Sequence, residues 1–463
     1  VTAVRASAFD RRLLAPMVLG SILNPVNSTL IAVALVPIGI AFGAPASQTA
    51  WLVSGLYLAT AVGQPVTGRL VDLYGPRPLY LVGTALVGLG GLLGLLAADL
   101  GVLVAARVVI GLGTCAGYPA AMALVRRESR RTGQDSPETV LTVLSVATQT
   151  IAVIGPTLGG LLIGLGGWRT TFAVNLPLAV LALVVGWWRL PRGAGERSAG
   201  ERVVSLVDPA GIALFTVTLV TLLLVLERPA LWPLAIVTAA AAAGLVWWER
   251  RAAHPFLDVR VLAGNVPLLL TFLRALLGAT VSYAILYGYT QWLEQGRGLS
   301  ASGAGLALLP IFLGGIGVAA LTGRRREIRG KLLVGAAGQI VVAVLLLFLG
   351  PTSPIWLIVV VALVAGVPQG LNNLAIQNAV YRQADPERTA SSAGLMRTFF
   401  YLGAIAAGTT GGFAFADGGA TTAGLHVLAV VMLVAAGLFL LVTVVDRSLA
   451  RLEAPAPGLP SGR

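Results

Sequence analysis

The residues of this chain that can do chemistry are amides, hydroxyls, phenols and guanidinium groups set inside long apolar runs. Asn24, Asn27 and Ser28 stand at i, i+3 and i+4, and Ser145, Thr148 and Gln149 repeat that spacing. Tyr283, Tyr287 and Gln291 stand at i, i+4 and i+8, as do Gln369, Asn373 and Gln377, with Asn372 beside them. On a helix each set falls on one face. Such a stripe either bonds helix to helix or lines a wet path, because polar groups are kept away from lipid. Four stripes, two in each half of the chain, favour a shared cavity. Its mixed amide, hydroxyl and aromatic lining suits an amphipathic organic solute better than a bare ion. Arg107, Arg274 and Arg397 also fall inside apolar runs, with no carboxylate at matching depth. A guanidinium stays protonated and is costly in a bilayer, so these groups make a field that favours neutral or anionic solutes over cations.

The same inventory argues against catalysis. Cys115, His254 and His426 are scattered, and no buried Ser/His, paired-carboxylate or metal-ligand set can be assembled, so no cofactor is expected. An intramembrane enzyme is the outside rival to a transporter. A channel fares worse, since neither a filter-like loop nor a ring of charges is present.

The elements that must position these groups follow from composition. Of 463 residues, 57% are hydrophobic and 11% charged, whereas a soluble domain carries roughly a quarter charged residues. Apolar runs long enough to cross about 30 Å of hydrocarbon lie at 13–41, 49–69, 78–98, 101–125, 138–165, 170–190, 207–227, 231–248, 264–292, 302–323, 332–350, 354–381, 388–414 and 422–445, which makes fourteen predicted spans. The first run far exceeds the roughly 7–15 residues of a signal-peptide core, so it reads as a retained span.

Basic residues orient the spans. Of 32 Lys and Arg, 26 fall in segments that alternate onto one side, and the opposite loops hold only Arg169, Arg228 and Arg297. Short cytoplasmic loops retain positive charge, so both termini are expected in the cytoplasm. The net charge of +13 then needs no nucleic-acid partner. The polar stretch 191–206 reads as a cytoplasmic linker. The expected organisation is a six-helix bundle (1–190), the linker, an inserted helix pair with a cytoplasmic loop (207–260), a second six-helix bundle (261–447) and a cytoplasmic tail (448–463).

Motifs fit the duplication. After the second span stand Gly68, Leu70, Asp72, Gly75 and Arg77; after the corresponding span of the second half, Gly323-Arg324 precedes Gly330-Lys331 at similar spacing. Glycines permit a tight turn and close helix approach, and Asp72 can meet basic groups or a helix N-terminus. Gly155-Pro156-Thr157-Leu158-Gly159-Gly160 combines a kink with small packing residues.

On these residues the chain resembles the major facilitator superfamily, and within it the fourteen-span drug:proton antiporters of the QacA/EmrB group. The 68–77 loop looks like the signature G-x-L-x-D-x-x-G-x-R. Residues 155–160 look like the antiporter motif G-x-x-x-G-P-x-x-G-G, with Ile151 at its first glycine. Arg107 with Gly111 and Gly113 is similar to the span-four pattern R-x-x-x-G-x-G. Residues 24–37 resemble the span-one motif L-D-x-T-x-x-N-x-A-L-P, but Asn27 replaces its aspartate, Ala32 its asparagine, and one residue is added before Pro37.

The resemblance implies an all-α major facilitator fold of fourteen helices, and a loop at Gly68, Asp72, Gly75 and Arg77 that latches the outward-facing state. It also implies a moving contact at Gly155, Pro156, Gly159 and Gly160. The expected cavity residues are Asn24, Asn27, Ser28, Arg107, Gln149, Arg274, Tyr283, Tyr287, Gln291, Gln369, Asn373, Gln377 and Arg397. The expected function is proton-linked export of small amphipathic molecules by a monomer in the inner (plasma) membrane. The alternative is proton-independent transport of organic anions or lipid-like molecules.

Overall fold

A computed structural model describes the chain outside residues 1–8, 45, 50, 133–137, 193–207, 228, 254, 258, 300, 323–326, 416–420 and 454–463. Most of the 191–206 linker, the end of the tail and Gly323 to Arg326 of the second loop motif lie outside the described residues.

A backbone crossing lipid must satisfy its own hydrogen bonds, and helices do so within one segment. The first half consists of α1 (Leu14–Phe42), α2 (Trp51–Tyr74), α3 (Pro76–Leu95), α4 (Leu100–Thr114), α5 (Gly117–Thr132), α6 (Glu138–Gly166) and α7 (Asn175–Arg189). A pair, α8 (Pro209–Glu227) and α9 (Leu234–Glu249), follows. The second half is α10 (Val266–Tyr283), α11 (Ala301–Thr322), α12 (Arg329–Leu347), α13 (Ile355–Gln383), α14 (Thr389–Ala414) and α15 (Thr422–Val445). Among the described residues eight helices are long and apolar enough to cross a membrane, α4 and α5 counting as one run, or nine if bent α6 is one span. The other predicted spans fall on shorter described apolar stretches (Pro209–Val225 of α8, Leu234–Glu249 of α9 and Leu306–Thr322 of α11) or on the longer but more polar α2 and α14.

Helix ends follow local chemistry. Gly43 at φ 57° closes α1 in the left-handed conformation. Asp99 caps α4 through the Val102 amide at 2.9 Å, and Asn265 caps α10 through the Leu268 amide at 3.1 Å. Past Tyr283 the chain widens into π-helical turns at Ala284–Tyr289 and Trp292–Gly296.

Packing within the first half recurs in the second. The pairs α1/α6, α2/α4 and α3/α7 have counterparts in α10/α14, α11/α13 and α12/α15. Between the halves, α2 lies against α14 and α6 against α11. The α8/α9 pair packs by α8 onto the α2/α14 seam, where Leu223 is buried with Ala61 and Tyr401. Asp208 joins this pair: it accepts from the Gly211 amide (3.0 Å), the Trp248 indole (2.8 Å) and the Phe256 amide (3.2 Å).

Candidate functional site

The two halves meet most closely at the end of α2 that carries Asp72. Its carboxylate accepts the backbone N–H groups of Ala390 (3.1 Å) and Ser391 (2.9 Å) and the Ser391 hydroxyl (2.5 Å). A helix leaves its first N–H groups unmade, and its dipole favours an anion there. Asp72 thus caps α14 from the opposite half, a place that the side chain of Arg388, the N-cap residue of α14, does not fill with a capping hydrogen bond. Gly68 makes the approach possible, since a Cβ there would lie 2.9 Å from Ser391 Cα; Gly394 plays the same part against Gln64, whose carbonyl carbon would be 2.8 Å away. Gly75, at φ 84°, turns the chain into α3. Arg77 serves elsewhere: it donates to the Trp187 carbonyl at 2.9 Å and lies 5.0 Å from that ring's centroid, tying α3 to α7. Arg126, not singled out from the sequence, adds a second tie across the halves. It donates to the Tyr381 carbonyl (3.3 Å) and to the Thr389 hydroxyl (3.4 Å), and lies 4.7 Å from the Tyr381 ring centroid.

Further along the seam the Thr398 hydroxyl donates to the Ala61 carbonyl at 2.7 Å, and the Tyr401 hydroxyl donates to Asn24 Oδ1 at 3.1 Å. Asn24 in turn donates to Thr114 (3.1 Å) and accepts from Ser28 (3.5 Å). Around this bridge the Tyr57 and Tyr401 rings lie 5.7 Å apart, Tyr283 lies 5.4 Å from Tyr287 and 5.5 Å from Phe400, and the Tyr57 and Tyr287 hydroxyls are 3.1 Å apart. Arg397 is half-buried beside them, 4.4 Å from the Tyr118 ring centroid and 5.8 Å from that of Phe400. A second polar set joins α6 to α13: Gln149 and Asn373 donate to the Ser145 hydroxyl at 3.1 and 3.4 Å, and Gln377 donates to Asn373 at 2.9 Å. Half-buried Gln369 borders this set near Gly315.

Several expected cavity residues are occupied elsewhere. Asn27 is 2% exposed and donates to Asn175 Oδ1 at 2.8 Å and the Leu23 carbonyl at 2.9 Å, so it fastens α1 to α7. Arg107, also 2% exposed, donates to the Leu52 and Asn27 carbonyls at 2.8 and 3.1 Å, and its remaining Nη2 is buried without a partner. Arg274 corrects the expectation of an arginine without an acid: it is fully buried and paired with Asp446 at 2.6 Å, with Thr271, Thr443 and the Val442 carbonyl at 3.1–3.3 Å. Asp446 stands just past the last predicted span, as the C-cap of α15, and the long arginine side chain reaches down to it. Gln291 is exposed, as is Tyr287 four residues before it, in a stretch that winds into π-helical turns after Tyr283. On α6, Gly155 is the tight point, where a Cβ would run into the Thr29 side chain, and at Gly159 one would lie 2.6 Å from Val33; Gly160 faces open space and is not a packing residue. Of Pro156 only the helical backbone is described, and α6 bends by 46° across it.

Sequence reasoning passed over Tyr57, Tyr118, Tyr401, Asn175 and Asp446. Phe400 and Tyr401 stand three and four residues after Arg397, a spacing that marks one helical face.

The comparisons agree with this geometry. Residues 17–408 match the model of the Major Facilitator Superfamily. The chain is 30% identical to the uncharacterized MFS-type transporter YwoD of Bacillus subtilis over 92% of this chain and 94% of that protein. Over 63% of this chain and 60% of the relative it is 33% identical to the lincomycin resistance protein of Streptomyces lincolnensis, and it is 31% identical to the multidrug resistance protein Stp of Mycobacterium tuberculosis over 63% of this chain and 54% of that one. Among solved structures, the human organic anion transporter MFSD10 (TETRAN) superposes with a TM-score of 0.67 at 17% identity over 95% of this chain and 99% of its own, a likeness of fold. The chain therefore belongs to the major facilitator superfamily and is a multi-pass membrane transporter, not an enzyme.

Proposed function

We propose that this transporter is a secondary active exporter of small amphipathic organic molecules. Two six-helix bundles, 1–190 and 261–447, rock about a site at their seam, with α8 and α9 inserted between them in sequence. The chain crosses the inner membrane fourteen times with both termini in the cytoplasm, and it works as a monomer. The observation that carries the reading is the capping of α14 in one half by Asp72 from the other, reinforced by Arg126. Such a contact holds one side shut with few, polar and reversible bonds, which is what alternating access requires. The Asn24–Tyr401 bridge and its tyrosines supply hydrogen bonds and ring faces from both halves for a solute. The relatives named for lincomycin and multidrug resistance support export of antibiotic-like molecules.

Proton linkage is part of this reading. With Asn27 where the resembling group has aspartate, it runs through an acid at a helix end, such as Asp72, or through a protonatable solute. The test is flux in inside-out vesicles. Uptake accelerated by an acidic lumen supports a proton-linked exporter; saturable uptake indifferent to the gradient selects the proton-independent alternative.

A further inference from the structure

The buried arginines differ in what answers their charge. Arg274 has a carboxylate, two hydroxyls and a carbonyl. Arg107 has two carbonyls, Arg77 one, and Arg126 a carbonyl and a hydroxyl. Arg397 has none: among the described residues it makes no hydrogen bond and no ion pair, and the rings of Tyr118 and Phe400 lie against it. Ring faces stabilise a cation from above but leave the in-plane N–H donors of the guanidinium unused. None of these donors is sealed away, so a half-buried guanidinium with five of them stands open to an incoming acceptor.

What surrounds Arg397 narrows the acceptor. Phe400 links it to a run of rings contributed by both halves, namely Tyr283, Tyr287, Tyr57 and Tyr401. Ring clusters attract cations in general, but this one carries Arg397 at its edge with no described carboxylate to offset the charge, so a cation there is repelled. A planar apolar body with an oxyanion meets both features: the oxyanion takes two donors of the guanidinium fork, and the body stacks among the tyrosines.

We infer that Arg397, with Tyr57, Tyr283, Phe400 and Tyr401, forms a subsite for aromatic carboxylates. This rests on the reading of the seam as the transport site, and it names the solute class that site takes. Arg397 reads the carboxylate; the rings set the size and flatness of the body.

The test uses the full chain in nanodiscs and three probes that share a ring system: 2-naphthoate, 2-naphthamide and (2-naphthyl)trimethylammonium, titrated calorimetrically at pH 8 against protein-free nanodiscs. The expected result is naphthoate bound about 10- to 100-fold more tightly than the amide, the range expected for a charge-assisted pair, with the cation weakest. Arg397→Gln is expected to abolish that preference, with an unchanged melting temperature showing that the variant is folded, and Arg397→Lys to keep part of it. Equal binding of acid and amide, tighter binding of the cation, no binding of any probe, or an undiminished preference in Arg397→Gln overturns the subsite. Failure of the transport reading shows itself separately, as absence of carrier-mediated flux for any amphiphile in reconstituted vesicles.

Discussion

Replacing Asp72 by asparagine keeps the size of the side chain and removes its charge from the start of α14. The carboxylate receives three hydrogen bonds of 2.5–3.1 Å, one on Oδ1 and two on Oδ2. Asparagine retains one acceptor oxygen and turns an amide NH2 toward the remaining donor, so at least one charge-assisted bond is lost together with the favourable charge at the helix N-terminus. A hydrogen bond to a charged group contributes about 1.5–3 kcal/mol, and the helix-end term roughly 0.3–1 kcal/mol. Rehydration of the unlatched form offsets part of this, leaving about 2–3 kcal/mol against the latched state, a roughly 30- to 150-fold shift in population. Spin labels at Arg127→Cys and Glu387→Cys, both exposed on opposite halves, in a Cys115→Ala background, report the separation by double electron–electron resonance. Asp72→Asn is expected to raise the long-distance population and slow transport, while solute affinity changes little because Asp72 is remote from the Tyr401–Asn24 bridge. An unchanged distance distribution refutes the latch, and equal loss of affinity and transport refutes the separation of latch from site.

Asp446→Asn is expected to lower stability by about 3–5 kcal/mol by stranding buried Arg274, seen as a fall in melting temperature; the double variant Arg274→Met/Asp446→Leu should recover much of it, and equal losses in the two proteins would count against the ion pair. Gly155→Ala should cost about 1–3 kcal/mol through its clash with Thr29, whereas Gly160→Ala, into open space, should be neutral or slightly stabilising in a melting measurement. Cysteines introduced at Ser198 and Ser461 should resist a membrane-impermeant reagent applied to intact cells while one at Ser353 reacts; labelling of Ser198 would reverse the topology.

What the sequence made legible is what repeats or runs long. Apolar runs, alternating basic loops and the 68–77 signature led to the all-helical major facilitator architecture, because lipid forces each crossing to be a continuous apolar helix. Asp72 stood out since it lies between two glycines at a span end, one that admits a close approach and one that turns the chain. Side-chain direction was not. Asn24 and Asn27 share a spacing, yet Asn24 reaches Tyr401 across the seam and Asn27 reaches Asn175 within its own half. Three residues along a helix turn a side chain by about 300°, enough to face another neighbour. Arg274 misled for a related reason: depth counted along its own helix ignores the length of the side chain, which finds Asp446 at the end of a helix 172 residues on.

The central claim, a carrier that exposes one seam site to each side in turn, is tested most directly by counterflow. Vesicles containing the purified protein are loaded with unlabelled amphiphile and diluted into a trace of the same compound carrying a radiolabel. The account predicts a transient, saturable accumulation of label above equilibrium, diminished in Asp72→Asn. Simple equilibration without overshoot, at the rate of protein-free vesicles or at a rate linear in concentration, would contradict it.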